Sequence, residues 1–348
     1  MAKKSCGLPY KGSKNTIAKE IVNALPKGER LVDLFCGGCA ITDYALKNTN
    51  KFSRFLVNDL NGWSPQTYVK AINGGFNSEE RWISRKDFFR LKDIDPYVNM
   101  CFSFGNDGKT YMYNPALEPY KRALHHIIFW ENYGPMEDLC PQVVDIIKEY
   151  CKGKDRKGRR LASGYAVADH IKQKGSIEYW QSNPMFRSVK VKWTPERRGM
   201  KGSELGNNTL KDIAPQPMLV SLERLERLQS LQSLESLERL ERLQSLERPQ
   251  DMFLETSNLS YSDYTYCDGD VIYCDPPYKG TNDYGTSFDS YAFWEWSRTR
   301  DYPVYVSEYQ APEDFVSIWN KEKRSLLNDK GLTATKMEHL FLHKRFGA

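Results

Sequence analysis

Hydrophobic residues recur in alternating helix and strand patterns along the first part of the chain. Ile17, Ile21 and Leu25 lie at helical spacing, and the short apolar runs at residues 31–35 and 55–57 are typical of buried strands. A helical pattern follows each run, and glycine-rich turns separate the elements. Strands that alternate with helices predict an α/β fold, in which helices cover a parallel sheet.

The alternation stops between residues 79 and 217 and returns near the end of the sequence. The central stretch has helix-like pieces that are separated by polar, glycine-rich segments. Strand patterns then reappear at residues 271–274, 304–306 and 340–342. We therefore predict one α/β domain, formed by residues 1–78 and 250–348, that is interrupted by a largely helical insertion over residues 79–217.

A low-complexity tract at residues 218–249 carries leucine at every third position from Leu222 to Leu246. Its leucine, glutamate and arginine residues are strong helix formers. A period of three falls about 60° short of a helical turn, so the leucines wind around the helix instead of lining one face. We expect only one end of the tract to pack. The tract is either a helix for docking or self-association, or a tolerated spacer.

Composition excludes several classes of protein. Of the 348 residues, 40% are hydrophobic and 27% are charged, which is typical of a folded protein and not of a disordered one. No apolar run reaches the roughly 18 residues of a membrane span, and no secretory signal is recognisable. Eight scattered cysteines suggest reduced thiols, so we expect a cytoplasmic protein. The five histidines form no metal-like cluster, and we expect no metal.

Positive charge is concentrated in the insertion. The whole chain has a net charge of +5, but residues 148–211 hold 16 Lys and Arg against 6 Asp and Glu, a local charge of +10. A localised basic surface favours a polyanionic partner such as nucleic acid. The alternative is a solvated loop face, and charge alone does not separate the two interpretations.

The most specific motif is Asp275-Pro276-Pro277-Tyr278, which directly follows the apolar run at residues 271–274. Open α/β sheets bind their ligands at this end of the strands. Two consecutive prolines make a stiff turn and have no N–H to donate. The turn offers the Asp275 carboxylate and the Pro276 carbonyl as acceptors beside an aromatic ring, which suits a planar base with an exocyclic amino group. The alternative is a structural turn with a buried tyrosine.

These motifs, in this order, resemble those of a known family. Asp275-Pro276-Pro277-Tyr278 resembles the catalytic motif of amino-group DNA methyltransferases. Three N-terminal motifs resemble those of the Dam-type (alpha-group) N6-adenine-specific enzymes, and Ser103-Phe104-Gly105-Asn106 resembles phage-borne members. The three motifs are Tyr10-Lys11-Gly12-Ser13-Lys14, Asp33-Leu34-Phe35-Cys36-Gly37-Gly38 and Asn58-Asp59-Leu60-Asn61. One departure is Cys39, which stands where the family often has a second glycine.

The resemblance implies a Rossmann-like sheet that binds S-adenosylmethionine, with the insertion as target-recognition region. The enzyme would transfer a methyl group to N6 of adenine at specific sites in double-stranded DNA. The implied catalytic residues are Asp275, Pro276, Pro277 and Tyr278. The implied cofactor residues are Tyr10, Lys14, Asp33, Phe35, Gly37, Gly38, Asp59 and Asp275. Asp59 follows the glycine turn by about 20 residues, the spacing at which an acidic residue meets ribose hydroxyls.

The chemistry of adenine accounts for this set of residues. The N6 lone pair is delocalised into the ring, which makes N6 a poor nucleophile. Hydrogen bonds from both N6–H groups to Asp275 and the Pro276 carbonyl would localise that lone pair for attack on the sulfonium methyl group. Tyr278 would stack on the base. A paired base must first be flipped out of the duplex, which costs a few kcal/mol of unstacking and unpairing free energy. Basic residues of the insertion would contribute through phosphate contacts, above all Arg156, Lys157, Arg159 and Arg160.

Other interpretations stay open at this stage. Cys36 and Cys39 have the spacing of redox proteins, although small residues also suit a ligand loop. An N4-cytosine or RNA methyltransferase would share the catalytic turn, and a non-catalytic DNA-binding relative would share the fold. The resemblance suggests GATC as the recognition site, in the manner of restriction-modification enzymes.

Overall fold

The computed structural model describes the chain in several stretches. These are residues 6–10, 12–60, 62–104, 108–115, 117–139, 141–163, 166, 235–247, 252–278, 288–325 and 334–347. The chain divides into two compact units, one formed by residues 1–78 and 241–348 and the other by residues 79–240. Most of the basic stretch, residues 167–211, and the first part of the leucine tract, residues 221–234, lie outside the described residues.

A single sheet organises the first unit. Its described strands are β1 (Arg30–Asp33), β2 (Arg54–Asn58), β3 (Phe253–Ser257), β4 (Asp270–Cys274), β5 (Val304–Glu308), β6 (Phe315–Ser325) and β7 (Ala334–His343). They pair in the order β3-β2-β1-β4-β5-β7-β6. The first five strands are parallel, and β7 runs antiparallel to both β5 and β6. The predicted α/β fold with a Rossmann-like sheet is confirmed.

The described helices are α1 (Ala18–Ala24), α2 (Ala40–Asn48), α3 (Trp63–Ile72), α4 (Arg85–Leu91), α5 (Pro96–Phe102), α6 (Glu118–Trp130), α7 (Gly134–Leu139), α8 (Pro141–Cys151), α9 (Glu235–Gln244) and α10 (Ser290–Thr299). Helices α1 and α2 pack on one face of the sheet, with Leu31 and Val271. Helix α10 packs on the other face, with Val32 and Ile272. Since successive strand residues point to opposite faces, β1 and β4 are buried on both sides.

The position of β1 and β4 in the sheet fixes where a ligand would bind. Strand β1 lies between β2 and β4. The next strand in the sequence, β2, pairs with one edge of β1, and β4 pairs with its other edge, so the strand order reverses at β1. Asp33, at the end of β1, is in register with Tyr273 of β4. Parallel sheets bind ligands at the carboxyl ends of the strands on either side of such a switch point. The loop after β1 and the motif after β4 therefore meet at this edge.

The second unit is largely helical within its described residues. Helices α4 to α8 lie there, and residues 156–163 are also helical. The half-buried Trp82 stacks on the buried Tyr113 at a centroid distance of 5.5 Å, and Lys121 and His125 of α6 are buried as well. Burial lowers the pKa of His125 to about 4, and its Nε2 is 2.8 Å from the Glu80 carbonyl oxygen. His125 is therefore a neutral core residue at neutral pH.

Helix α9 comes from the end of the leucine tract. Its residues Leu237, Leu240 and Leu243 are buried, and Leu246 just beyond it is buried as well. This end of the tract is therefore packed, as predicted, and the prediction for residues 221–234 lies outside the described residues. None of the described helices is long and apolar enough to cross a membrane.

Candidate active site

The loop between β1 and α2 is built by close backbone packing under Tyr10. Gly37 has a φ of +45°, and a Cβ there would lie 3.1 Å from Tyr10 Cε1. A Cβ on Gly38 would lie 2.6 Å from Tyr10 Cβ. Cys39, at the helix N-cap, has a φ of +56°, a left-handed conformation that glycine adopts most easily. The backbone at Cys39 thus keeps the conformation that the family's usual glycine favours.

An N-terminal segment covers this loop and holds it. Leu8 N donates to the Gly38 carbonyl oxygen at 2.7 Å, and Gly7 N donates to Asp43 Oδ2 at 2.9 Å. Asp43 is buried and also accepts from the Tyr68 hydroxyl at 2.8 Å. Sequence reasoning missed Gly7 and Asp43. The available signal was an aspartate among the apolar positions of the α2 pattern.

Asp59 is attached to the same loop from the end of β2. Its Oδ2 accepts a hydrogen bond from Gly37 N at 2.9 Å. The preceding residue, Asn58, is buried and donates through Nδ2 to the carbonyl oxygens of Leu34 and Leu259, at 2.9 and 3.0 Å. Asn58 therefore locks the end of β2 to the loop after β1. Two residues of the predicted cofactor set, Gly37 and Asp59, are in direct contact.

Asp33 presents a buried carboxyl group with one unused oxygen. Thr42 Oγ1 donates to Oδ2 at 2.9 Å, and Oδ1 has no hydrogen-bond partner among the described residues. Burial raises the pKa of Asp33 to about 8, and the nearby negative charges of Asp275 and Asp59 add to that rise. A buried polar atom without a partner is rare in a native core and suits a polar ligand. The coupling to Asp275 also shows that the two motifs adjoin.

The motif after β4 pairs with Lys14. Lys14 Nζ is 2.8 Å from Asp275 Oδ1 and 4.5 Å from the centre of the Tyr278 ring. The Lys14 side chain is 7% exposed and that of Asp275 is 19% exposed. Burial raises the pKa of Asp275 although Lys14 opposes this effect. Burial would lower the pKa of Lys14, but the charges of Asp275 and Glu338 raise it overall, so the ammonium form persists.

The turn formed by Asp275, Pro276, Pro277 and Tyr278 is called the Asp275 corner below. Two residues that the sequence did not indicate complete this corner. The Tyr278 hydroxyl donates to Glu338 Oε1, and that oxygen is also 3.6 Å from Lys14 Nζ. Glu338 is fully buried on β7. The Tyr309 ring meets Tyr278 edge-on at a centroid distance of 4.6 Å. The only available signal was Glu338 as the single acidic residue in the strand-like run at residues 334–343.

The remaining members of the predicted site occupy distinct surroundings. Pro276 is buried and Pro277 is partly buried, as befits a stiff turn at a strand end. Phe35 packs against Tyr261 and Phe293, each at a centroid distance of 5.6 Å. Its ring belongs to the aromatic cluster beneath the loop, and nothing in its contacts assigns it to a ligand.

The chemistry of this site fits S-adenosylmethionine. The cofactor carries two cationic centres and a ribose, and the site brings the carboxylates of Asp59 and Asp275 and the carboxyl group of Asp33 to one sheet edge. The backbone of Gly37 and Gly38 forms a close-packed loop of the kind that lets a ligand approach. The unused oxygen of Asp33 provides a polar partner. The residues present therefore fit this group.

The predicted phosphate-binding residues differ in their accessibility. Arg159 is buried, and it donates to the Ile128 carbonyl oxygen at 2.9 Å and to Glu131 at 2.6 Å. Arg160 donates to Glu238 at 3.0 Å, and the guanidinium of Arg156 lies 5.1 Å from the Phe129 ring centre. Lys157 is exposed. Arg159 thus contributes to the fold of the insertion, and Lys157 is the most accessible of the four. Their contact with DNA stays a prediction.

The redox interpretation of Cys36 and Cys39 has little support. Both thiols are buried, and burial raises the pKa of each, which disfavours the reactive thiolate. A group of metal-binding side chains is likewise not found among the residues that the structure describes.

Comparison with known families gives one match. Residues 10–100 match the family described as D12 class N6 adenine-specific DNA methyltransferase. The matched stretch includes Tyr10, Lys14, the Gly37–Gly38 loop and Asp59, and ends before Asp275. No curated protein gives a significant match. The family match confirms the predicted family and enzyme class.

Proposed function

We propose that the chain acts as an N6 adenine-specific DNA methyltransferase of the D12 class, the family that residues 10–100 match. It would transfer the methyl group of S-adenosylmethionine to N6 of an adenine flipped out of duplex DNA, at specific sites. One observation carries the proposal. The Asp275 carboxylate and the Tyr278 ring bind the same nitrogen cation, Lys14 Nζ, which lies 2.8 Å from Asp275 Oδ1 and 4.5 Å from the ring centre.

The cofactor would lie along the loop after β1. Asp59 would meet the ribose hydroxyls, and Gly37 and Gly38 would allow close approach of the backbone. Asp33 would supply a buried polar contact, and Tyr10 would close the loop from above. S-adenosylmethionine, when bound, supplies an electrophilic methyl group on its sulfonium. The protein contributes the position and the negative surroundings of that group.

The corner after β4 would act on the target base. The Asp275 carboxylate and the Pro276 carbonyl oxygen would accept hydrogen bonds from the two N6–H groups, which favours a pyramidal nitrogen with a localised lone pair. Once the methyl group is on N6, S-adenosylhomocysteine would leave and N6 would lose one proton. The Tyr278 ring stacks on the adenine and holds it in line. Because the corner lies among buried groups, a base inside a duplex cannot reach it. Extrusion of the base is therefore part of the proposal.

The insertion would bind the DNA backbone. Its accessible Lys157 and the other basic residues around it are suited to phosphate contacts, which supply affinity and offset part of the extrusion energy. Arginine and lysine side chains of the same insertion would read base edges in the major groove. Double-stranded DNA is the partner that this arrangement favours.

Transfer of labelled methyl groups to DNA tests the proposal. The wild-type protein should label double-stranded DNA, and Asp275→Ala should lower the rate at least about a hundredfold while the protein stays folded. Asp268→Ala removes an exposed carboxylate just before the same strand and should leave the rate unchanged. Undiminished transfer by Asp275→Ala would remove the corner from the mechanism, and no transfer by the wild type to any DNA would refute the proposed activity.

A further inference from the structure

The Lys14 ammonium occupies the two contacts that the proposed function gives to adenine N6. Its Nζ lies 2.8 Å from Asp275 Oδ1, at hydrogen-bond distance. The same atom lies 4.5 Å from the centre of the Tyr278 ring, as a cation over an aromatic face. A positively charged nitrogen therefore stands where the exocyclic amino group of the base has to go.

Adenine and the ammonium group cannot use these contacts at the same time. In the proposed function the base stacks on the Tyr278 ring and its N6 contacts the Asp275 carboxylate, and Lys14 Nζ competes for both groups because it lies over that ring and contacts Asp275 Oδ1. Lys14 must therefore leave Asp275 when the base enters. A buried ammonium without a carboxylate partner is strongly unfavourable, so its new position needs a second acceptor.

Glu338 is that acceptor. Its Oε1 is already 3.6 Å from Lys14 Nζ, and its Oε2 has no hydrogen-bond partner among the described residues. The side chain is fully buried on β7, a strand that pairs with β5 on one side and β6 on the other. The Tyr278 hydroxyl, which donates to Oε1, fixes its orientation. Lys14 needs only a short movement to exchange one carboxylate for the other.

We propose that Glu338 is a positioning residue that receives the Lys14 ammonium when the extruded adenine takes its place on Asp275 and Tyr278. The inference rests on the proposed function and adds to it. The transfer of Lys14 releases the Asp275 carboxylate from its ion pair at the moment when that carboxylate must accept a hydrogen bond from N6. The ammonium holds the empty corner in its binding geometry, and Glu338 keeps the displaced charge neutralised.

The test uses the 348-residue protein and a duplex that the wild type methylates. The kcat/KM is measured on that duplex, and base extrusion on a second duplex in which 2-aminopurine replaces the target adenine. 2-Aminopurine lacks the N6 amino group, so the rise of its fluorescence reports extrusion and entry onto the Tyr278 ring, and methyl transfer is followed on the adenine duplex alone. Glu338→Gln keeps an oxygen for the Tyr278 hydroxyl and removes the charge, so kcat/KM for DNA should fall at least tenfold and the fluorescence rise should weaken. The KM for S-adenosylmethionine should change less than twofold. Glu322→Gln, an exposed change on β6, should alter neither quantity.

A double-mutant cycle separates positioning from a structural role. In a Lys14→Met background, Glu338→Gln should change the 2-aminopurine signal less than twofold, because no ammonium remains to be placed. An equal effect of Glu338→Gln in both backgrounds, or no effect in either, would overturn the inference. If Glu338→Gln does not fold, Lys14→Met alone decides: base capture should tighten, and unchanged or weaker capture contradicts the exchange. Both outcomes are distinct from a wild type that methylates no DNA.

Discussion

At the scale of single residues, backbone geometry at Gly7 joins the N-terminal segment to the loop between β1 and α2, which is the proposed cofactor loop. Gly7 has a φ of +67°, and a Cβ there would overlap the Gly38 carbonyl oxygen and lie 2.8 Å from Ala40 N. Both neighbours are backbone atoms, which cannot turn aside as a side chain can. Gly153 has the same φ of +67° but nothing within 4 Å of its Cβ position. An alanine at Gly153 would therefore meet only the strain of a positive φ, whereas an alanine at Gly7 would meet the same strain and steric overlap as well.

Gly7→Ala should therefore weaken cofactor binding and stability together. We expect a loss of at least about 2 kcal/mol in unfolding free energy and a tenfold or greater rise in the Kd for S-adenosylmethionine, since the loop must shift. Gly153→Ala should lose only about 1 kcal/mol and leave cofactor affinity unchanged. Urea unfolding and calorimetric titration measure these quantities. Equal losses for the two variants would show that overlap with the loop is unimportant.

The pH dependence of stability should report on Asp33. Burial raises the folded-state pKa from 3.8 to about 8, so the folded protein keeps a proton that the unfolded chain releases. The contribution of this group to stability is thus fully present below 3.8 and is lost as the pH rises through about 8. Asp33→Asn should flatten this part of the pH profile of the unfolding free energy, as measured with urea. Parallel profiles for both proteins would contradict the assignment.

At the scale of elements, helix α9 contributes to the site through one arginine. Arg242 Nε donates to the Gly7 carbonyl oxygen at 3.0 Å, and Arg242 Nη2 donates to that of Cys6 at 2.8 Å. The leucine tract therefore ends in a helix that holds the N-terminal segment against the proposed cofactor loop. A spacer interpretation does not fit this end of the tract, although it still applies to the preceding residues.

Because the tract repeats its own sequence, a deletion can test whether the upstream copy contributes to stability. Residues 222–231 and 237–246 have the same sequence, Leu-Glu-Arg-Leu-Glu-Arg-Leu-Gln-Ser-Leu. Deletion of residues 222–236 places Ser221 before Leu237 and so regenerates the packed sequence. The deletion should change the unfolding free energy by less than about 0.5 kcal/mol, whereas Arg242→Ala should lower it by about 2 kcal/mol because charged hydrogen bonds are lost. A deletion as damaging as Arg242→Ala would mean that the upstream copy is itself required.

Sequence patterns predicted some elements better than others. The runs that became β1, β2 and β4 are apolar because they are buried on both faces, and this made them visible. The sequence did not predict strand β3. This strand lies at the edge of the sheet, and because Phe253–Ser257 are exposed or half-buried they form no apolar run. The role of Glu338 was also hidden, since it depends on contacts with Lys14 and Tyr278 and not on any spacing.

At the scale of the whole molecule, strand order makes two distant motifs into one site. The glycine loop and the Asp275 corner are separated by more than 200 residues, and they meet because β4 pairs with β1. The ion pair between Arg30 and Asp270, at 2.8 Å, fastens the opposite ends of the same strands. Sequence motifs predicted the residues of the proposed site. Their proximity follows from topology, which no local pattern contains.

The central claim is that the Asp275 corner directs a methyl group to adenine N6. Mass spectrometry of nucleosides from DNA treated with the protein and isotopically labelled S-adenosylmethionine tests it directly. The account predicts labelled N6-methyldeoxyadenosine with the wild type and none above background with Asp275→Asn. Label in N4-methyldeoxycytidine or in RNA alone, or undiminished N6 label with Asp275→Asn, would contradict it.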